Sequence, residues 1–227
     1  LSDDEKTTAL GFLDRHVELD LDLVVGLSIP AREGGYQAAV RMAGVDLDMA
    51  DSERARQAMD ALATRLVRAE HGLVQLLDPP FDRLGPNPGY IAGYVPGVRE
   101  NGGQYTHSAV WSAMAFAALG DAARAWRVMD LINPLNHGKS AESVAVYKVE
   151  PYVVAADVYG VAPHTGRGGW SWYTGSAGWM YRLMIESVLG LQLEQAQGRA
   201  FLHLRPCLPP HWPGCQVSYR FGGTRYE

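Results

Sequence analysis

The stretch Pro96-Gly97-Val98-Arg99-Glu100-Asn101-Gly102-Gly103-Gln104-Tyr105-Thr106-His107 gathers more chemistry than any other part of the 227-residue sequence. Paired glycines let a backbone come close to a ligand. A guanidinium, a carboxylate, two amides and an imidazole surround them. His107 falls where the loop passes into a helix, beside the positive end of the helix dipole. On pattern alone, a capped helix start with a structural Gly-Gly turn accounts for the stretch as well as a ligand site does. A second group, from His164-Thr165-Gly166-Arg167-Gly168-Gly169-Trp170 through Trp172-Tyr173-Thr174-Gly175-Ser176 to Trp179, collects hydroxyls, small residues and backbone N–H groups just ahead of another helix. That arrangement suits an oxyanion such as phosphate, and the Trp and Tyr faces suit the C–H surface of a sugar ring. A glycine-rich loop packed by tryptophans is the plainer reading. Between the two groups, Tyr147-Lys148-Val149-Glu150-Pro151-Tyr152 offers a Lys and a Glu for sugar hydroxyls, or simply a surface turn with an acid near a helix start.

His203, Cys207, His211 and Cys215 recur every fourth residue and invite a zinc assignment. That interval converges only on a helix, and Pro206, Pro209, Pro210 and Pro213 forbid one there. No CxxC, GxSxG, P-loop, GxGxxG or HExxH motif is present. The net charge of −5 carries no basic stripe for nucleic acid. Two cysteines cannot staple a scaffold, and together with the lack of a leader sequence they point to a reducing, cytoplasmic setting. The chain starts on Leu1 rather than Met and stops at Glu227 inside an expected strand, so a fragment cut at both ends is expected.

The elements that must position these groups are mainly helical. Leu10, Leu13 and Val17 share a helical spacing, whereas residues 26–50 show no clean period. Ser52 can cap a helix whose apolar face carries Ala55, Met59, Leu62 and Leu66, with Gly72 as its stop. A helix from near Tyr105 carries Trp111, Met114, Ala115 and Ala118 to Gly120. Asp121 caps another through Ala125, Val128, Met129 and Ile132. Pro151 is suited to the first turn of a helix running through Val153, Val154 and Val158. Ser176 starts a helix with Trp179, Leu183 and Val188 that ends at Gly190. After Gly198 the period changes: Phe201–Leu204 and Gln216–Phe221 alternate as strands do. Antiparallel helix pairs with long loops, followed by β structure, suggest part of an α/α barrel over residues 1–198 and the start of a β domain over 199–227.

Read together, Arg99-Glu100-Asn101-Gly102-Gly103-Gln104-Tyr105-Thr106-His107, Tyr147-Lys148-Val149-Glu150-Pro151-Tyr152 through Tyr159, and Gly166-Arg167-Gly168-Gly169-Trp170 through Arg182 resemble glycoside hydrolase family 94. Asp78-Pro79-Pro80-Phe81-Asp82, Pro88-Gly89-Tyr90-Ile91 and Asn133-Pro134-Leu135-Asn136-His137 fit the same pattern. The likeness is greatest to the branch of the family formed by the phosphorylase-like domain of cyclic β-1,2-glucan synthases. It is dense from residue 52 to 221 and poor over residues 1–50.

The resemblance implies a mainly α fold, the C-terminal part of an (α/α)6 barrel followed by the start of a small β-sheet domain. It implies inverting phosphorolysis of a β-glucan or β-glucoside oligosaccharide. Inorganic phosphate is then the co-substrate, with no cofactor and no metal. Phosphate attacks the anomeric carbon itself, so one carboxylic acid suffices where a hydrolase needs two. By the same resemblance His107, Thr174 and Gly175 hold phosphate. Arg99 and Glu100 contact the acceptor-side sugar, and Gln104, Lys148, Glu150 and Trp172 line the sugar slot. A protonated His107 would favour phosphate. Family phosphorylases are often dimers, and a full-length glucan synthase parent would be anchored at the inner membrane. The family's general-acid Asp, in an Asp-Trp-Asn-Asp-Gly-Met-like motif, and its phosphate-binding Arg lie upstream and have no counterpart in this sequence. Asp3, Asp4, Asp14, Asp20 and Asp22 lack that context. Protonating the leaving group is worth roughly 10²–10⁴-fold, so the chain alone is expected to be inactive. A free-standing cellobiose-type phosphorylase, a non-catalytic carbohydrate-binding remnant and a pure folding module are the alternatives.

Overall fold

Ala55, Met59 and Leu62 recur at intervals of three or four, which aligns them on one face of helix α1 (Ser52–Arg65) and buries all three. Glu53 in its first turn and Arg65 in its last complement the helix dipole. The computed structural model describes residues 52–82, 88–172, 174–196, 199–221 and 223–227. The helix expected around Leu10–Val17 and the unperiodic stretch at 26–50 lie outside the described residues.

Helix α2 (Thr106–Ala118) is the central rod. Ala109, Val110, Trp111, Ala113, Met114, Ala115 and Phe116 are all buried, as expected of a helix that is apolar on every side. It turns back through Gly120 into α3 (Ala122–Ile132), which is two-faced: Ala125, Val128, Met129 and Ile132 point inward. Asp121 caps α3 as expected, accepting the Arg124 N–H at 3.0 Å. These helices, α1 and Val74 form one apolar cluster with Met180, Leu183 and Val188. Among the described residues the molecule is predominantly helical, and no helix is long and apolar enough to cross a membrane.

The expected helix from Pro151 does not form. The short helices α4 (Pro134–His137) and α5 (Ala141–Tyr147) precede it, and residues 151–158 form an irregular segment that ends in a strand. Ser140 caps α5 in a reciprocal box with Ser143, and Lys148 ends it in the left-handed region, its N–H donating to Val144 O. The Pro151 signal is local. It is overridden because residues 156–159 find backbone partners on both sides. Strands β1 (Val67–Arg68) and β2 (Leu73–Val74) form one short antiparallel pair; strand β3 (Gln104–Tyr105) pairs antiparallel with β4 (Asp157–Val158), Tyr105 opposite Asp157. The Thr106 N–H donates to Ala156 O at 2.9 Å, continuing that edge. On the far edge, Ala156 N–H reaches Trp170 O at 2.7 Å, Gly169 N–H reaches Asp157 O at 2.8 Å, and Tyr159 N–H reaches Arg167 O at 2.8 Å. Three chain segments, the first about 50 residues from the other two in sequence, thus run side by side.

Helix α6 (Thr174–Arg182) begins two residues before the expected Ser176 and loosens into a π turn over Leu183–Val188, where Leu189 N–H bonds Met184 O five residues back. The β region opens with a hairpin of β5 (Leu191–Ala196) and β6 (Arg199–Leu204). Strand character therefore starts at Leu191, ahead of the expected change at Gly198. The second expected strand is confined to β7 (Tyr219–Phe221), which pairs with β8 (Thr224–Tyr226). Trp126 Nε1 on α3 donates to Cys207 O at 2.9 Å, tying this region to the helices.

Tyr147 lies in a small satellite cluster with Leu73, Ala155 and Val158, its ring stacked on His137 at 4.5 Å. Burial pushes its phenol up to about 12, against a smaller opposing effect of a backbone hydrogen bond at Ala155. The unfolded chain releases this proton near 10 and the folded chain holds it longer. Stability is thus unaffected below pH 10 and falls as pH rises toward 12, by roughly 1 kcal/mol at pH 11. Tyr147→Phe should remove that component. Urea midpoints at pH 9 and 11 should converge for the variant more than for the parent, and equal pH slopes would contradict this account.

Candidate functional site

The loop before α2 is folded by its own amides. Gly97 N–H donates to Asn101 O at 2.6 Å, Asn101 N–H to Val98 O at 3.0 Å and Gly103 N–H to Arg99 O at 3.0 Å. The buried Asn101 side chain accepts the Phe81 N–H at 2.7 Å and donates to Phe81 O and Tyr94 O. This turn forces Arg99 to φ +47°. Its guanidinium carbon sits 4.0 Å from the centroid of the Trp170 ring and 5.7 Å from that of Tyr94, an attractive cation–π arrangement. Arg99 Nε lies 3.8 Å from Asp157 Oδ1. Burial pulls the Arg99 pKa down, but Asp157 and Glu100 outweigh it and hold the group above its ordinary value. Among the described residues, Glu100 Oε2 is buried without a hydrogen-bond partner.

His107 occupies the first turn of α2. Its ring stacks on Tyr105 at 4.8 Å and meets the edge of Trp111 at 6.2 Å. Across from it stands the start of α6. A Cβ added to Gly175 would lie 2.6 Å from His107 Nε2, so only glycine leaves room for the imidazole there. The N-terminal ends of two helices therefore converge on one ring, and both project positive potential toward it. Thr174 opens α6; its side chain lies outside the described residues.

Glu150 and Trp172, 22 positions apart, meet directly: Trp172 Nε1 donates to Glu150 Oε1 at 2.8 Å. That bond, and then the residue's own backbone N–H, lower the Glu150 pKa. Tyr152 faces the edge of Trp172, and Tyr152, Trp170 and Trp172 are all exposed. Among the described residues, the non-glycine positions with positive φ are Arg99, Lys148 and Trp172. All three are candidates taken from the sequence, and such strain gathers at ligand-binding positions. Lys148 has a structural use as well, since its conformation ends α5.

Gln104 departs from expectation. It is buried, its Oε1 accepting the Val74 N–H at 2.9 Å and its Nε2 donating to Thr106 Oγ1 at 3.2 Å. Its amide is thus spent on holding β3 and α2 in place, and it is not offered to a sugar. In sequence, a ligand-binding glutamine and one that bonds backbone look alike. Conversely, Asp157 belongs to the site although no motif marks it in the sequence. It is 1% exposed, accepts the Trp170 N–H at 3.0 Å and sits so close to Gly169 that a Cβ there would overlap its carboxylate. Burial raises its pKa, opposed by the Trp170 bond and by Arg99. The available signal was a lone acid inside Val153-Val154-Ala155-Ala156-Asp157-Val158.

Gly175→Ala should destabilise the protein by about 1–3 kcal/mol, because the His107 ring is hemmed in by Tyr105 and Trp111 and cannot yield freely. Gly178→Ala, three residues along the same helix with nothing within 4 Å of the added methyl, should stabilise by about 0.5–1 kcal/mol. Denaturant midpoints check both. Shifts of the same sign would contradict the packing described.

The catalytic-domain model of the glycosyl hydrolase 94 superfamily matches residues 33–190. The chain is 49% identical over 177 residues to the cyclic beta-(1,2)-glucan synthase NdvB of Rhizobium meliloti (strain 1021), a match covering 78% of this chain and 6% of that protein. It is 32% identical over 180 residues to the N,N'-diacetylchitobiose phosphorylase of Vibrio proteolyticus, covering 79% and 21%. It is 30% identical over 167 residues to the 1,2-beta-oligoglucan phosphorylase of Listeria innocua, covering 62% and 15%. The matched region is therefore only a small part of the glucan synthase and no more than 21% of either phosphorylase.

Proposed function

We propose a function from one premise: this chain belongs to the glycosyl hydrolase 94 superfamily. It is the C-terminal portion of an inverting β-glucan or β-glucoside phosphorylase-type domain, similar to that of a cyclic β-1,2-glucan synthase. Its helices form part of an (α/α)6 barrel, and the strands after Gly190 begin the attached β domain.

In this reading His107 and the backbone at Thr174–Gly175 cradle inorganic phosphate, and Arg99 and Glu100 hold the sugar beside it. Trp172, tied to Glu150, offers a ring face to the oligosaccharide, with Lys148 at the edge. Phosphate attacks the anomeric carbon as the glycosidic oxygen leaves with a proton from a carboxylic acid. Since the family's acid-bearing motif is absent from the 227 residues, the chain alone binds ligand but does not turn it over. The single observation that carries this reading is the contact of His107 Nε2 with the space above Gly175. It supports an anion cradle built from two helix N-termini within a chain of net charge −5.

Calorimetric titration of a short β-1,2-linked glucan, with and without inorganic phosphate, tests the proposal. Phosphate should tighten sugar binding, and His107→Ala should weaken phosphate binding by about tenfold, the scale of a lost charge-assisted hydrogen bond. Sugar binding indifferent to phosphate would favour the second reading, a non-catalytic carbohydrate-binding remnant, for which the exposed Tyr152, Trp170 and Trp172 are the supporting observation. No binding of either ligand would leave a folding module.

A further inference from the structure

We propose that Asp157 is a positioning residue for sugar recognition, its buried carboxylate holding the Nε edge of Arg99 while the guanidinium lies against Trp170 next to Glu100. The proposal rests on the reading of Arg99 and Glu100 as sugar contacts.

Taking a carboxylate out of water is costly unless charge and hydrogen bonds compensate it. Around Asp157, 1% exposed, the compensation is thin: the Trp170 N–H at 3.0 Å on Oδ1, Arg99 Nε at 3.8 Å, and no hydrogen bond to Oδ2 among the described residues. A residue needed only to bond the Trp170 N–H could be a neutral asparagine. The charge is explained by Arg99. Three constraints meet on that one side chain: a backbone at φ +47°, the Trp170 ring 4.0 Å from its guanidinium carbon, and the carboxylate at its Nε edge. The 3.8 Å separation exceeds an N–H···O hydrogen bond by just under 1 Å. Both Arg99 Nε and Asp157 Oδ2 thus keep unused bonding capacity. A small inward movement of the guanidinium would convert the ion pair into a charge-assisted bond. Restricting a long, rotamer-rich side chain before the ligand arrives lowers the ordering cost of binding. Gly169 belongs to the same device, since any side chain there would displace the carboxylate.

Asp157→Asn keeps the volume and an acceptor for the Trp170 N–H while removing the charge. Titrating the 227-residue chain with a β-1,2-linked glucotriose, and separately with inorganic phosphate, should show sugar affinity lowered by about tenfold and phosphate affinity unchanged. In an Arg99→Ala background the same substitution should lower sugar affinity no further. Wild-type sugar affinity in Asp157→Asn, or an equal loss in the Arg99→Ala background, would overturn the proposal. If the parent chain binds no oligosaccharide, the proposed function fails, and urea midpoints decide the pairing. A shift caused by Asp157→Asn that shrinks by at least half when Arg99 is Ala supports it, and additive shifts overturn it.

Discussion

Everything near the candidate site hangs on a ladder of backbone hydrogen bonds. Residues 156–159 are flanked by 104–106 on one side and 167–170 on the other, and each flank carries one of the glycine-bordered stretches. The first flank runs directly into the helix that bears His107. The second leads to the helix that begins at Thr174. Pairing Tyr105 with Asp157 and Ala156 with Trp170 therefore fixes how the two helix starts face each other. A register slip of one residue would turn every side chain of the central segment to the opposite face. Asp157 would leave Arg99, and the short strand would lose its buried contacts with Tyr147.

The side chains divide into those that hold and those that are held. Gln104 and Asn101 spend their amides inside the molecule, Asn101 on the backbone of Phe81 and Tyr94 and Gln104 on the Val74 N–H and the Thr106 hydroxyl. Arg99 and Trp172 are held in strained backbone, Arg99 also against the Trp170 ring and Trp172 by its bond to Glu150. An acidic chain can still offer an anion a favourable place, because a helix N-terminus and an imidazole act locally whereas the net charge is spread and screened.

The sequence was informative where a signal is local. The apolar period of α1, the Asp121 cap and the turn at Gly120 are properties of a few neighbouring residues, and they form as read. The motif resemblance identified the family because its residue types are specific at fixed spacing. Where nonlocal pairing decides, local signals misled. Pro151 is a sound helix-start residue, yet Val158 and its neighbours gain more by pairing on two edges than by coiling alone. Strand β5 carries no clear local signal, because Leu191-Gln192-Leu193-Glu194-Gln195 mixes an alternating pattern with good helix formers. At the site, His107, Arg99 and Glu100 were legible as types. The roles of Gln104 and Asp157 depend on partners 30 and 58 positions away, at Val74 and Arg99, and no spacing rule reaches that far.

The central claim is that His107 and the first turn of α6 form one anion site. The most direct test is a phosphate titration of isotopically labelled protein followed by NMR, reading the imidazole resonances of His107 and the amide of Gly175. The account predicts that both shift together along a single saturating curve, while His203 and His211 in the β region stay still. If the His107 and Gly175 signals do not move, or move no more than those of the distant histidines, the claim is contradicted.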